Sequence, residues 1–279
     1  MAKISEEAKK QYSERVQTYK RQIESIQQRE RTIRSELEGD SAGAGYKRLT
    51  LASERLDLAS LYLLLNKVSL AVLGIKNDNH LNDARKCCYQ SVIYLEEVVG
   101  DQIDAPFSDY SDRLEEIANF PEESRFVLAR KMGFTIQSVR DDLGENNKWR
   151  WSFVDLEGRF AAVTKNLINF RTLLAGLDPR EPGYEMRLGH LNLVKDLMRE
   201  SGDRYREKFE LATNRIDDFR KAISFLLALK RIHMLLGEGD KADEVRKRAD
   251  VWANRLEDLD KEQQRKQKQQ RGSAPAAES

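Results

Sequence analysis

Before Pro106 the chain contains no proline, and through that stretch its apolar residues return every three or four positions. A proline inside a helix removes a hydrogen bond and costs about 3 kcal/mol, so a long proline-free stretch with this period specifies long helices. Val16, Tyr19, Ile23, Ile26, Ile33 and Leu37 keep a 3-4 spacing, with Glu30 in the one skipped position. Residues 5–38 therefore read as a single long helix with a coiled-coil-type seam. GDSAGAG at 39–45 is the turn that ends it. Tyr46 to Ile75 reads as a second helix with a wider apolar face, and 79–99 as a third, with Leu81, Ala84, Cys88, Leu95 and Val98 on one side.

The same period governs the rest of the chain. Residues 105–144 read as a linker and short helices, in which Pro121 stands at the first turn of a helix reaching about Leu143. Trp149, Phe153, Leu156, Phe160, Val163, Leu167, Phe170 and Leu174 form an unbroken seam. A helix from about Pro182 to Glu200 follows, then a seam of Tyr205, Phe209, Ala212, Ile216, Phe219, Ile223 and Leu226. The last helix starts near Asp240. Gly74, Gly100, Gly144, Gly176, Gly202 and Gly237 each follow a periodic run, where a left-handed C-terminal cap belongs. No segment alternates in the manner of a strand. The expected fold is all-α: about eight helices in antiparallel hairpins, forming either a bundle or a short α-solenoid. The expected organisation is a long helix at 1–38, a hairpin at 39–104, the linker region at 105–144, hairpins at 145–262 and a polar disordered tail at 263–279.

Composition narrows the function classes. Lys and Arg (48) nearly balance Asp and Glu (47), so no global field draws the chain to nucleic acid or an acidic membrane. The two cysteines, Cys87 and Cys88, are adjacent and form no disulfide framework, which fits a reducing compartment. The N-terminal residues lack the apolar core of a secretory signal. The longest apolar stretch, Leu58 to Ile75, is interrupted by Asn66 and Lys67, short of the roughly twenty clean apolar residues a bilayer span needs. A cytoplasmic protein without membrane insertion is expected.

Two segments carry partial motifs. LLGEGDKADEVRKRA at 235–249 resembles the turn and second helix of a tetratricopeptide repeat, with Ala242 and Ala249 at the small positions where two helices cross. Residues 73–91 match in part, through Ala84 and Ser91. Lys230 and Val72 stand where the family has small residues, and no period of about 34 residues runs through the chain, so the resemblance implies helical hairpins of that style. FVLARKMGFTIQSVRDDL at 126–143 resembles a bacterial helix-turn-helix, through Ala129, Gly133 and Val139. That resemblance implies a DNA-binding regulator in which Thr135, Gln137, Ser138 and Arg140 face the major groove. Against it, Asp142 occupies an apolar position, and Asp141 and Asp142 would face phosphates. The preferred reading of the segment is a bundle helix with a bend at its glycine.

Chemistry leaves no comparable trace. The sequence has no Gly-rich phosphate loop, HExxH, CxxC or GxSxG, and its three histidines, His80, His190 and His233, stand far apart. No catalytic, cofactor or metal residue is expected. Trp149 falls on a seam, whereas Trp151 falls off it beside Arg150 and offers a protein-contact anchor, with burial against a neighbouring helix the preferred alternative. Val16, Tyr19, Ile23 and Ile26 offer a second contact surface, through which 5–38 would pair with another copy or another protein. Folding back on 46–76 is the preferred alternative. The basic run from Lys261 to Arg271 reads as a solvated helix end. In general style the chain is similar to bacterial helical scaffold proteins, such as subunits of spirochaete flagellar motors. The expectation is a non-enzymatic interaction or scaffold module bound to protein partners, with the DNA-binding regulator as its rival and an enzyme a distant third.

Overall fold

The computed structural model describes residues 5–39, 42–144 and 148–272, with side chains through residue 262. Ten α-helices and no strand occur among the described residues: α1 (Glu6–Gly39), α2 (Ala44–Leu73), α3 (Asp78–Val99), α4 (Ser111–Glu115), α5 (Glu122–Leu143), α6 (Arg150–Asn166), α7 (Phe170–Ala175), α8 (Tyr184–Lys208), α9 (Ile216–Leu235) and α10 (Gly239–Gly272). The all-α reading holds. The chain divides into two compact units, one of residues 1–102 and 107–192, the other of 103–106 and 193–279.

In the first unit α1, α2 and α3 run antiparallel in succession. The α2–α3 turn is built as its residues dictate. Gly74 takes the left-handed conformation (φ 66°) that ends α2, and Asn77 accepts from the His80 backbone N–H to start α3. Small residues let the two helices approach: Ala52, Ala59, Ala84, Cys88 and Ser91 are all fully covered, and Ser91 Oγ donates to the Ala52 carbonyl at 2.8 Å. The small-residue reading of Ala84 and Ser91 is thus realised. Helices α5 and α6 form a second hairpin. Lys131 on α5 reaches Ser53 and Asp57 on α2, and Arg159 on α6 pairs with Glu96 on α3. Lys76, just past α2, bonds the Leu143 carbonyl at the end of α5, and Arg85 on α3 bonds Ser152 on α6, so α5 runs parallel to α2 and α6 parallel to α3. One hairpin packs against the next.

The second unit is the C-terminal part of α8 with α9 and α10. Arg248 pairs with Asp203 and Arg255 with Glu210, so α10 runs parallel to α8, and α9 returns between them. Its core is aromatic. Tyr205 stacks on Phe225 (5.6 Å), Phe209 on Phe219 (5.0 Å), and Phe219 meets Trp252 at 6.0 Å. Ala242 and Ala249 are buried on α10, as small crossing residues should be.

Several local expectations fail for identifiable reasons. The 149–174 seam is two helices, because Asn169 accepts from the backbone N–H groups of Arg171 and Thr172 and starts α7. Leu167 and Phe170 are buried on either side of the break, so the spacing conceals it. Gly202 caps nothing. It lies inside α8, where a Cβ would sit 3.3 Å from the Ala222 carbonyl oxygen, so its role is close helix crossing. The 205–226 seam is likewise interrupted. A π turn at Phe209–Thr213 and a left-handed Asn214 (φ 49°) end α8, leaving Ala212 exposed. Residues 263–272, expected in a disordered tail, continue α10, since their Gln, Lys and Arg residues favour helix and no proline or glycine intervenes before Gly272. The remainder of that tail, 273–279, and Asn146 and Asn147 beside Trp149 lie outside the described residues.

Candidate interaction surfaces

The skipped position of the first seam is a buried polar node. Glu30 on α1 is 6% exposed, pairs with Arg55 on α2, and accepts from the Tyr94 hydroxyl on α3 at 3.0 Å. Three helices are thereby registered by one carboxylate. Cys87 adjoins Arg55. Burial pushes its thiol up to about 11, against the opposing pull of that guanidinium, and burial pushes Cys88 up as well. Both thiols are buried and free, which is the small-helix-residue reading of the pair.

The histidines serve the fold. His80 stacks on Tyr62 at the start of α3. His190 is buried, donates from Nε2 to the Thr164 carbonyl at 3.1 Å, and stacks on Phe126 at 5.2 Å. Burial lowers its pKa to about 4, so it is neutral. His233 donates from Nδ1 to Glu238 at 2.6 Å where α9 ends. Lys241, Lys195 and His233 surround the Glu238 carboxylate and hold its pKa down to about 2 against partial desolvation. Among the described residues no cluster of three or more His, Cys, Asp or Glu side chains could hold a metal ion.

The helix-turn-helix expectation is corrected. Residues 126–143 lie within one uninterrupted helix, and Gly133 makes no turn. A Cβ there would approach the Phe160 ring to 3.2 Å, so the glycine admits α6 beside α5. Thr135 is buried, its hydroxyl donating to the Lys131 carbonyl (2.8 Å), and Arg140 pairs with Glu157 on α6. Gln137 and Ser138 remain exposed. Ala129, Gly133 and Val139 are the small and apolar residues of a packed helix face, a pattern that helix-turn-helix motifs share.

The long seam of α1 is also used internally. Val16, Ile23 and Ile26 are buried, and Tyr19 is half-buried, so these residues do not form the free contact surface expected for 5–38. The α1–α2 turn folds the seam onto α2, whose apolar face is the nearest partner at high effective concentration. Near α6, Trp149 is half-buried with Arg85 stacked 3.9 Å above its ring. Trp151 is half-buried with Arg150 exposed and 4.7 Å over its ring.

Other surfaces escaped sequence reading. On α5, Phe134 is 64% and Val127 56% exposed, seven residues apart on the outer crest, with Arg130 over the Phe134 ring at 5.7 Å. On α9, Leu227, Lys230, Arg231, Met234 and Leu235 line an open groove of about 480 Å³ with Asp104. On α2, Leu64, Leu70 and, just beyond its end, Ile75 are exposed. This helix is long and apolar enough to cross a bilayer by length and composition alone, yet it packs against α1, α3 and α5. The signal was present in each case as apolar residues off the main seam. Seam-counting cannot tell such residues from the margins of a wide buried face. The family model of the TP0443 family matches residues 8–260, nearly the whole described chain. No curated protein and no solved structure matches.

Proposed function

The chain belongs to the TP0443 family, and we propose that this member is a non-enzymatic protein-interaction or scaffold module. The observation that carries the reading is the crest of α5. There Phe134 and Val127 stand in water on a continuous helix anchored to two neighbouring helices. Large apolar side chains in a row on a rigid element mark contact sites, because water is a poor neighbour for them and a partner's surface a better one. The stacked hairpins of the first unit support the same reading, since such architecture presents extended faces. The form of the module we favour is a subunit of a larger bacterial assembly, with a flagellar-motor scaffold as the specific instance to examine first. It acts in the cytoplasm in this reading.

The test is an affinity pull-down of tagged whole chain from native lysate, with and without nuclease, beside a Val127→Ser/Phe134→Ser variant. Protein partners that resist nuclease and are depleted at least tenfold by the variant are the expected result. Partners that vanish with nuclease, or recovery of nucleic acid alone, refute the reading.

A further inference from the structure

The most apolar helix of the chain is not fully covered by it. At the first half of α2 two neighbouring helices are latched to its outward side. Arg29 on α1 bonds Glu54 at 2.7 Å, and Lys131 on α5 bonds Asp57 at 2.8 Å and Ser53 at 3.0 Å. Glu54 and Asp57 thus mark the two margins of a face of α2 lying between α1 and α5. Continuing along that face by steps of three and four reaches Leu61, Leu64, Val68 and Val72, and Ile75 follows beyond the end of the helix. Leu64 and Ile75 are exposed, and Leu61, Val68 and Val72 are half-buried. A strip of this kind is neither core nor free surface. It is a part-covered strip bordered by α1 on one side and α5 on the other.

The carboxylates of Glu54 and Asp57 at its margins are engaged by Arg29 and Lys131. Two cations are not. Lys67 lies two heptads beyond Ser53 and so on the α5 margin. Arg15 lies two heptads before Arg29 and so on the side of α1 that faces the strip. Because α1 and α2 run antiparallel through Arg29–Glu54 and Glu30–Arg55, Arg15 comes level with residues 68–70. Lys67 and Arg15 are both exposed, and neither is joined in an ion pair among the described residues. One free cation therefore flanks each side of the apolar strip at the same height.

We propose that this strip is the docking groove for an amphipathic helix of a partner protein, its apolar face on Leu61, Leu64 and Val68 and its carboxylate-bearing flanks on Lys67 and Arg15. The proposal rests on the protein-binding reading above and specifies the partner's chemistry. A strip between two flanking helices accepts a third helix, as helix-in-groove recognition requires. Opposed free cations favour acidic flanks and repel basic ones.

The test sorts a displayed library of helical peptides on the whole chain. Leucine is fixed along one peptide face, and flanking positions are randomised among Glu, Lys and Ser. Enrichment of Glu on both flanks is expected. The best peptide should bind at least tenfold more weakly to an Arg15→Glu/Lys67→Glu variant, which leaves the core untouched, and to Leu64→Glu. Its Lys-flanked counterpart should bind the charge-reversed variant better than the parent. Neutral or basic enrichment, no enrichment over a scrambled pool, or binding indifferent to these variants overturns the proposal. So does co-sedimentation with phosphatidylserine vesicles that Leu64→Glu abolishes, which would assign the strip to a membrane. Pull-down partners that survive Leu64→Glu but not Phe134→Ser would leave the protein-binding reading standing and remove only this groove.

Discussion

His190 makes the stability of the first unit depend on pH, and the size of the effect follows from its surroundings. The ring lies between Phe126 and the Thr164 carbonyl, with Glu122 and Arg125 as the charged groups acting on it in opposite directions. Burial is the largest influence and sets the folded pKa at about 4, against about 6.5 in an unfolded chain. Between those values the unfolded chain binds a proton that the folded chain refuses. Stability is therefore whole above about pH 6.5 and falls as pH drops toward 4. At about 1.4 kcal/mol per pKa unit, the loss is about 2 kcal/mol at pH 5 and about 3.5 kcal/mol at its limit.

The assay is urea unfolding at pH 7.5 and pH 5.0, followed by tryptophan fluorescence in a Trp252→Phe background, where Trp149 and Trp151 report on the first unit alone. A His190→Gln variant keeps a donor for the Thr164 carbonyl but cannot take up the proton. Subtracting its pH response from that of the parent removes the contribution of carboxylates. A remaining difference of about 2 kcal/mol is expected. Parallel responses, within about 0.5 kcal/mol, would refute the reasoning, as would an NMR titration placing His190 near its unfolded pKa.

Three further outcomes are expected. Glu30→Ala leaves Arg55 and the Tyr94 hydroxyl without their carboxylate and should cost about 3 kcal/mol by chemical denaturation, whereas Glu30→Leu/Arg55→Met should recover most of that loss. Gly202→Val should destabilise the second unit by about 2 kcal/mol, because the first added carbon already meets the Ala222 carbonyl oxygen, and no side-chain motion relieves a backbone contact. A midpoint unchanged by calorimetry would count against the α8–α9 crossing. Cys87 and Cys88 should resist a thiol reagent in the folded chain at pH 8 and react within minutes in denaturant. Prompt labelling of Cys87 without denaturant would contradict its burial and raised pKa.

Period and punctuation suffice to specify most of the helices. The spacing of Val16, Ile23 and Ile26, the missing prolines and the glycines at 74, 100 and 237 mark α1, α2 and α3 within a few residues of their observed limits, and the end of α9. These are local quantities, set by backbone sterics and by which side chains share a helix face. Glu30 was visible as an interruption, but its partners Arg55 and Tyr94 come from two other helices, and no count along one helix names them. Gly133 and Gly202 show the limit most directly. A glycine in a helical pattern permits either a turn or a close neighbour, and only the positions of Phe160 and Ala222 decide for the neighbour. The same holds for surfaces. Leu64, Val127 and Phe134 satisfy the helical period as well as any core residue, and their exposure depends on where α1, α5 and α6 stop covering them. A sequence determines which faces are apolar. Tertiary packing decides which of those faces the chain itself can cover, because burial is a property of neighbours brought from elsewhere in the chain.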